Sequence, residues 1–294
     1  MSGSTATDFR IIRKILSDKF DVLDIGNYDL ILHIGVLDFQ FCVFDTKSAE
    51  ILCLEDVRFD GLRNTVELIK LLHKYFEDHA FLTAGFWNKV KLCLKSQKFS
   101  FVPLPHFQQE HASDYLVVNN EINPSMEKVV YYKHQKQDIV NVFAMNRKLG
   151  KWLKTTYPKT KLSVVHSCSS FVEGLNTFEI TRKSFHCNIE RGCIQIAVLQ
   201  DNNLLICNQY IVKKPDDYLK YVMVVFKELE MDADLDTITL WGNPKTSSPH
   251  LMRLRKYYKH FNMGTRKNNL KFSYQFDECE DHQYFSTFSV SYCG

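Results

Sequence analysis

A chain of 294 residues is long enough for two domains of ordinary size, and 45% hydrophobic against 24% charged residues is an ordinary globular balance. The 37 basic and 34 acidic side chains nearly cancel, so the overall charge does not imply a nucleic-acid partner. No apolar run approaches a membrane span, and the opening MSGSTATDFRIIRK has no apolar core of signal type. The 9 cysteines form no C-x-x-C pair. Cys42, Cys53, Cys93, Cys187 and Cys207 sit in strand-like runs, where a thiol acts as a small hydrophobe. An odd count without a signal segment points to reduced thiols and a cytoplasmic protein.

Residues 1–27 read as an N-terminal arm with a short helix, because Phe9, Ile12, Ile15 and Leu16 share a helical face. From Leu30 the pattern changes to LILHIGV, a turn, FQFCVFD, a second turn at TKSA, and EILCLEDVRF. Asp60-Gly61 introduces a helix with Leu62, Val66, Ile69, Leu72 and Phe76 along one stripe. The strand-like runs KVKLCLK and FSFVP follow, ended by Pro103 and Pro105. Residues 106–127 are polar and irregular and read as an exposed excursion. VVYYKH and DIVNVFAM read as strands, NRKLGKWLKTTYP as a helix stopped at Pro158, KLSVVHS as a strand and SSFVEGLNTF as a helix.

A second set then repeats the first: FHCNIE, a tight turn, CIQIAVL, a turn at DNN, and LLICNQYIV. His33-Ile34-Gly35-Val36 pairs with His186-Cys187-Asn188-Ile189 in this alignment, and Phe41-Cys42 with Ile194-Gln195. A helix from Pro215, with Tyr218, Val222, Val225, Phe226 and Leu229 inward, leads to the strand DTITLWG. A helix from about Ser248 carries Leu251, Leu254, Tyr258 and Phe261 on its buried side, NLKFSYQF is a last strand, and Phe285, Phe288 and Tyr292 mark a closing helix. Two hairpins and then a helical crossover predict antiparallel pairing followed by parallel pairing. The fold class expected is α/β, with two ribonuclease-H-like halves at 28–158 and 159–294. Each half holds a mixed five-stranded sheet flanked by helices, and the halves face each other across a cleft.

That architecture resembles the actin, sugar-kinase and heat-shock-chaperone superfamily. More narrowly, LILHIGVLDFQFCVFD, FAMNRKLGKWLKTTYP, VVHSCSSFVEGL and a closing aromatic helix ending in Cys resemble an uncharacterised Bacteroidota family with an actin-like ATPase fold. The middle segments also resemble pilus-assembly and cell-division members. The resemblance implies a nucleotide cleft for ATP and Mg²⁺, with D-x-G at the first hairpin and D-I-G-G-G-T-T-D at the second. Here the first turn offers Gly35, Leu37 and a displaced Asp38, the one candidate for a catalytic carboxylate. The second offers Asn188, Glu190, Arg191, Gly192 and Gln195, so carboxylates have become amides and glycines have become bulky. The adenosine turn survives only as Gly242-Asn243.

The expectation is a binding or scaffold protein with degenerate nucleotide loops and an unidentified protein partner. The alternative is a divergent ATPase or kinase that uses Asp38 and a phosphate grip through Arg191. A third reading places RNA or an acidic partner on the 253–271 segment, which carries Arg253, Arg255, Lys256, Lys259, Arg266, Lys267 and Lys271 without an acid. A nuclease would need Asp38 with Glu55 or Asp56 around metal ions, and the second half has no counterpart carboxylates. His106, Glu110 and His111 lack metal-ligand spacing, and His186–Cys187 alternate faces of a strand. No metal site is predicted.

Overall fold

The structure is a computed structural model that describes residues 9–35, 37–59, 62, 64–244 and 248–294. Val36 of the first turn, the Asp60-Gly61 helix entry and residues 1–8 of the arm lie outside the described residues. The chain opens on a strand, β1 (Phe9–Leu16), where a helix was expected. Its pairing with β4 shifts register between Ile11 and Arg13, and such a bulge breaks the two-residue alternation by which a strand is recognised. The hairpin strands β2 (Tyr28–Ile34), β3 (Asp38–Asp45) and β4 (Glu50–Phe59) lead to α1 (Thr65–Glu77). Asn64 caps α1 by accepting from the N–H groups of Val66 and Glu67, and Leu68, Leu72, Tyr75 and Phe76 turn inward. Val66, expected in that stripe, is 41% exposed.

β5 (Lys89–Leu94), β6 (Phe99–Pro103), α2 (Asp114–Val117), β7 (Glu127–Lys133), β8 (Ile139–Asn146), α3 (Arg147–Thr156), β9 (Lys161–His166) and α4 (Ser167–Leu175) follow. The excursion at 106–127 is anchored where α2 buries Leu116 against Val102, Val140 and Val142. The second set comprises β10 (Ser184–Glu190), β11 (Cys193–Gln200), β12 (Asn203–Ile211), α5 (Pro215–Glu228), β13 (Thr237–Gly242), α6 (Pro249–Leu254) and β14 (His260–Met263). The helix expected to reach Phe261 therefore ends at Leu254, and Phe261 lies on a strand. NLKFSYQF contributes only β15 (Lys271–Phe272), and the chain closes with α7 (Phe285–Ser289). All nine cysteines are buried and unbridged.

The chain divides into two compact units. The first holds residues 1–133, 139–167 and 269–277; the second holds 134–138, 168–268 and 278–294. The first unit has a seven-stranded sheet ordered β1-β4-β3-β2-β5-β9, with β15 also on β4, and a separate antiparallel sheet β6-β8-β7. The second has a five-stranded sheet ordered β12-β11-β10-β13-β14. β2–β3 and β3–β4 are antiparallel, and β2–β5 and β5–β9 parallel. The second sheet repeats this with β10–β11 and β11–β12 antiparallel, and β10–β13 and β13–β14 parallel. The strands β4-β3-β2-β5-β9 of the first unit thus share the ribonuclease-H-like order and pairing of β12-β11-β10-β13-β14 in the second, and the first unit extends that order at β4 with β1 and β15.

Register fixes the equivalence residue by residue. Ile34 faces Phe39 around the first turn and Ile189 faces Ile194 around the second, so His33–Gln40 matches Asn188–Gln195. On the parallel side Ile34 faces Leu94 and Ile189 faces Gly242. The next residues, Lys95 and Asn243, donate their N–H groups to Ile34 O at 3.0 Å and Ile189 O at 2.8 Å. His33 therefore corresponds to Asn188, not to Asn188's neighbour-but-one His186 as the sequence alignment had it. A slip of two preserves the inward and outward alternation of a strand, so hydrophobic pattern alone cannot detect it.

The β4 edge is held through Glu55. Its buried carboxylate meets Lys14 Nζ of β1 at 2.5 Å and His79 Nε2 at 3.3 Å, and accepts from the Tyr75 hydroxyl. Burial alone would raise its pKa, but the bonds from His79, Lys14 and Tyr75 outweigh burial and bring it to about 2. A lowered carboxylate pKa stabilises the fold above the ordinary value of 4.5 and loses that contribution as pH falls toward 2. Glu55→Gln should lower stability by about 2 kcal/mol at pH 7 and flatten the loss of stability between pH 4.5 and 2, read by urea denaturation across that range.

Candidate functional site

Both units bring the residues singled out in the sequence to the ends of their central strands. In the first, Gly35 N–H donates to Asp38 O at 2.9 Å, which turns the chain back and folds the Asp38 side chain over the glycine. A Cβ placed on Gly35 would lie 2.1 Å from Asp38 Oδ1 and 3.1 Å from Lys95 Cδ. Lys95 Nζ reaches both carboxylate oxygens of Asp38, at 3.1 and 3.0 Å, and both side chains are at most 5% exposed. The residue whose register matches the first Asp of the second-half motif is His33, so the D-x-G position reads His33-Ile34-Gly35, and Asp38 lies on the far side of the turn. His33 is 1% exposed. Burial, then the neighbouring Lys95 charge, push its pKa well below the ordinary value, so it is a neutral imidazole at physiological pH.

The cross-strand row continues from His33 to Gln40 and Asp56, all buried. Its equivalent in the second unit is an amide row, Asn188–Gln195–Gln209. Asn188 Nδ2 lies within hydrogen-bond reach of Gln195 Oε1 at 2.8 Å, Ser286 Oγ at 2.8 Å and Glu190 Oε1 at 3.0 Å. Gln195 Nε2 donates to Gln209 Oε1 at 3.0 Å. Glu190, Arg191 and Gly192 are half-buried in the tight turn, where Gly192 supplies a φ of 72°. Gly242 has a φ of 80°, and a Cβ there would fall 2.2 Å from Ile189 O and 2.7 Å from Asn188 Oδ1. Asn243 is half-buried beside it.

The closing helix covers this row. Phe285 stacks on Trp241, with ring centroids 3.8 Å apart and planes 28° from parallel. Gly174 on α4 lets the helices approach, since a Cβ there would meet Ser289 Oγ at 2.2 Å and Phe285 Cζ at 2.7 Å. Trp241 Nε1 donates to His186 Nδ1 at 3.3 Å, while His186 Nε2 lies 3.0 Å from Ser184 Oγ. Burial lowers the His186 pKa to about 4, which keeps the acceptor nitrogen free of a proton. Chemically the row offers neutral amide donors and acceptors and no carboxylate of its own except Glu190 at its edge.

Sequence reasoning missed Lys95, His33, Gln209 and Ser286. Lys91 and Lys95 could have been found, because they share a face of the apolar run KVKLCLK and a buried lysine requires a carboxylate. Asp29 lies 3.4 Å from Lys91, and Asp38 answers Lys95. The other candidates do not converge. Asp38 and Glu55 hold different partners, and no group of three His, Cys, Asp or Glu side chains able to hold a metal occurs among the described residues. The His111 ring lies 3.0 Å from the Asp114 carboxylate, both exposed. His166 donates to Ser96 O at 2.8 Å and stacks on Phe99; burial brings its pKa to about 4 despite that bond. The Cys187 thiol is pushed up by burial. In the basic segment Arg253, Lys259 and Arg266 meet Asp216, Asp234 and Asp281, so its charge is partly neutralised from elsewhere in the chain.

The fold these units build is the actin-like ATPase fold. A Bacteroides thetaiotaomicron protein, described as having that fold and unknown function, superposes with a TM-score of 0.77 at 17% identity, over 92% of this chain and 98% of that one. A structure described as the PilM–PilN type IV pilus biogenesis complex superposes with a TM-score of 0.58 at 10% identity, over 90% of this chain and 97% of that one. At such identities the likeness is one of fold. Residues 17–261 match the family described as "Protein of unknown function (DUF3822)", and the chain belongs to that family. Among curated proteins no sequence matches. No helix is long and apolar enough to cross a membrane among the described residues.

The Asp38–Lys95 pair supplies a direct test of the first-unit arrangement. Lys95→Met leaves a buried carboxylate without its cation and should cost about 3–5 kcal/mol in a urea melt. Adding Asp38→Leu to Lys95→Met should restore most of that loss, because a buried pair replaced by packed apolar groups is often near neutral.

Proposed function

We propose that this chain is a binding or scaffold module, an actin-like fold kept for its shape with the nucleotide chemistry gone. The single observation that carries the reading is that the protein's own side chains fill both strand ends. Asp38 and Lys95 lie over Gly35. Ser286 and Phe285 lie against Asn188 and Trp241. A phosphate needs glycine backbone to approach closely and N–H groups turned toward it. Mg²⁺ needs hard oxygen ligands, whereas His33, Asn188 and Gln195 stand where the superfamily pattern calls for small or acidic residues. A fold neighbour described as a complex of two pilus proteins supports the view that such a fold can serve as a protein-binding body. The protein partner is unidentified, and the basic segment around Arg255 and Lys256 is a candidate contact for an acidic one.

The competing reading, a divergent ATPase or kinase working through Asp38, needs that carboxylate released from Lys95. A Mg²⁺-dependent phosphate-release assay separates the two. The expected result is turnover indistinguishable from the protein-free blank. Turnover that disappears in Asp38→Ala, with the variant still folded by circular dichroism, would overturn the scaffold reading.

A further inference from the structure

We propose that the first unit carries a binding site for a small amphipathic anion, an aliphatic body ending in a carboxylate or phosphate. The site is a cavity of about 430 Å³ bounded by β5, β7, β8, β9 and α3. That volume falls within the roughly 300–1,000 Å³ of ordinary small-molecule pockets. Its apolar wall includes Leu92, Val130, Leu162 and Val164 from three different strands, with Met145 and Leu153 beside them. Ser163 adds a hydroxyl.

The rim carries one sign of charge. Lys128 comes from β7, and Arg147, Lys151 and Lys154 come from α3, where spacings of four and three residues place them on one helical face. Among the described residues no acidic side chain lines the cavity. Arg147 Nε donates to two neutral carbonyls, those of Pro124 at 2.7 Å and Glu127 at 3.0 Å. Lys128, Lys151 and Lys154 are exposed and meet no carboxylate among the described residues. Four cations around one apolar cavity repel each other, and an anion bound there relieves the repulsion. The apolar wall adds a second requirement that a bare anion does not meet.

Gly150 points the same way. It lies inside α3 and lines the cavity, and a glycine there weakens a helix by roughly 0.5–1 kcal/mol relative to alanine. Its backbone is not among the positive-φ positions, so conformation does not require it. A Cβ would meet only the flexible end of Met145, at 2.9 Å. The space beside the glycine is taken by the Met145 methyl, the flexible end of a side chain that also lines the cavity.

The test is calorimetric titration of sodium decanoate and decyl phosphate into the full chain, with decanol and acetate as probes lacking the head or the tail. Saturable binding of one or both anionic amphiphiles is expected, with decanol and acetate at least about tenfold weaker. The two anions distinguish a carboxylate from a phosphate head. Lys151→Glu combined with Lys154→Glu should weaken binding about tenfold or more. Gly150→Leu should abolish binding while the melting temperature stays level or rises, since leucine is the better helix former. Absence of heat with either anion at millimolar concentration would overturn the proposal, as would binding unchanged in Gly150→Leu or equal for decanoate and decanol.

Discussion

A polar side chain taken out of water has to find its partner inside the protein, and in both units that requirement falls at the same register of the central sheet. His33, Gln40 and Asp56 cross the first sheet, and Asn188, Gln195 and Gln209 cross the second. Such a row is costly unless its members satisfy each other or a neighbour. In the second unit Ser286 reaches in from the closing helix; in the first, next to the row at the strand end, the Lys95 ammonium sits on Asp38. The placement of α7, the stack of Phe285 on Trp241 and the close approach of α4 through Gly174 are consequences of covering that row. In each unit the protein's own side chains lie at the strand end, Asp38 over Gly35 in the first and Ser286 against Asn188 in the second.

Much of this architecture could be read from the amino-acid sequence, for identifiable reasons. The hairpins were legible because Asp201-Asn202 and Gly192 supply the positive backbone angles that tight turns need. The amphipathic helices α1 and α5 were legible because their inward residues recur at helical spacing. β1 was not, because its bulge lets Phe9, Ile12, Ile15 and Leu16 mimic a helical stripe. The end of α6 was misplaced because Tyr258 and Phe261 continue its apolar spacing past Leu254, while Phe261 pairs with Ile238 as a strand.

The site was partly legible. The amides and bulky residues at 188–195 could be read as departures from a phosphate loop, yet the alignment of the halves slipped by two and concealed His33 behind His186. Lys95 and Ser286 come from segments remote in sequence from the residues they complete, 57 positions from Asp38 and 98 from Asn188. Pairwise relations of that kind are set by topology, and no local pattern announces them. The cavity beside α3 was equally hidden, since its wall is assembled from five elements, β5, β7, β8, α3 and β9.

The central claim is that the strand ends are filled from within, so the measurement that bears on it most directly is the melting temperature with and without millimolar ATP and Mg²⁺. A nucleotide bound to the native state at a hundred times its dissociation constant adds roughly 2.7 kcal/mol, a shift of roughly 5 °C or more for a protein of this size. With the strand ends filled, no shift beyond that produced by Mg²⁺ alone is expected. A Mg²⁺-dependent rise that Asn188→Ala or Asp38→Ala removes would contradict it.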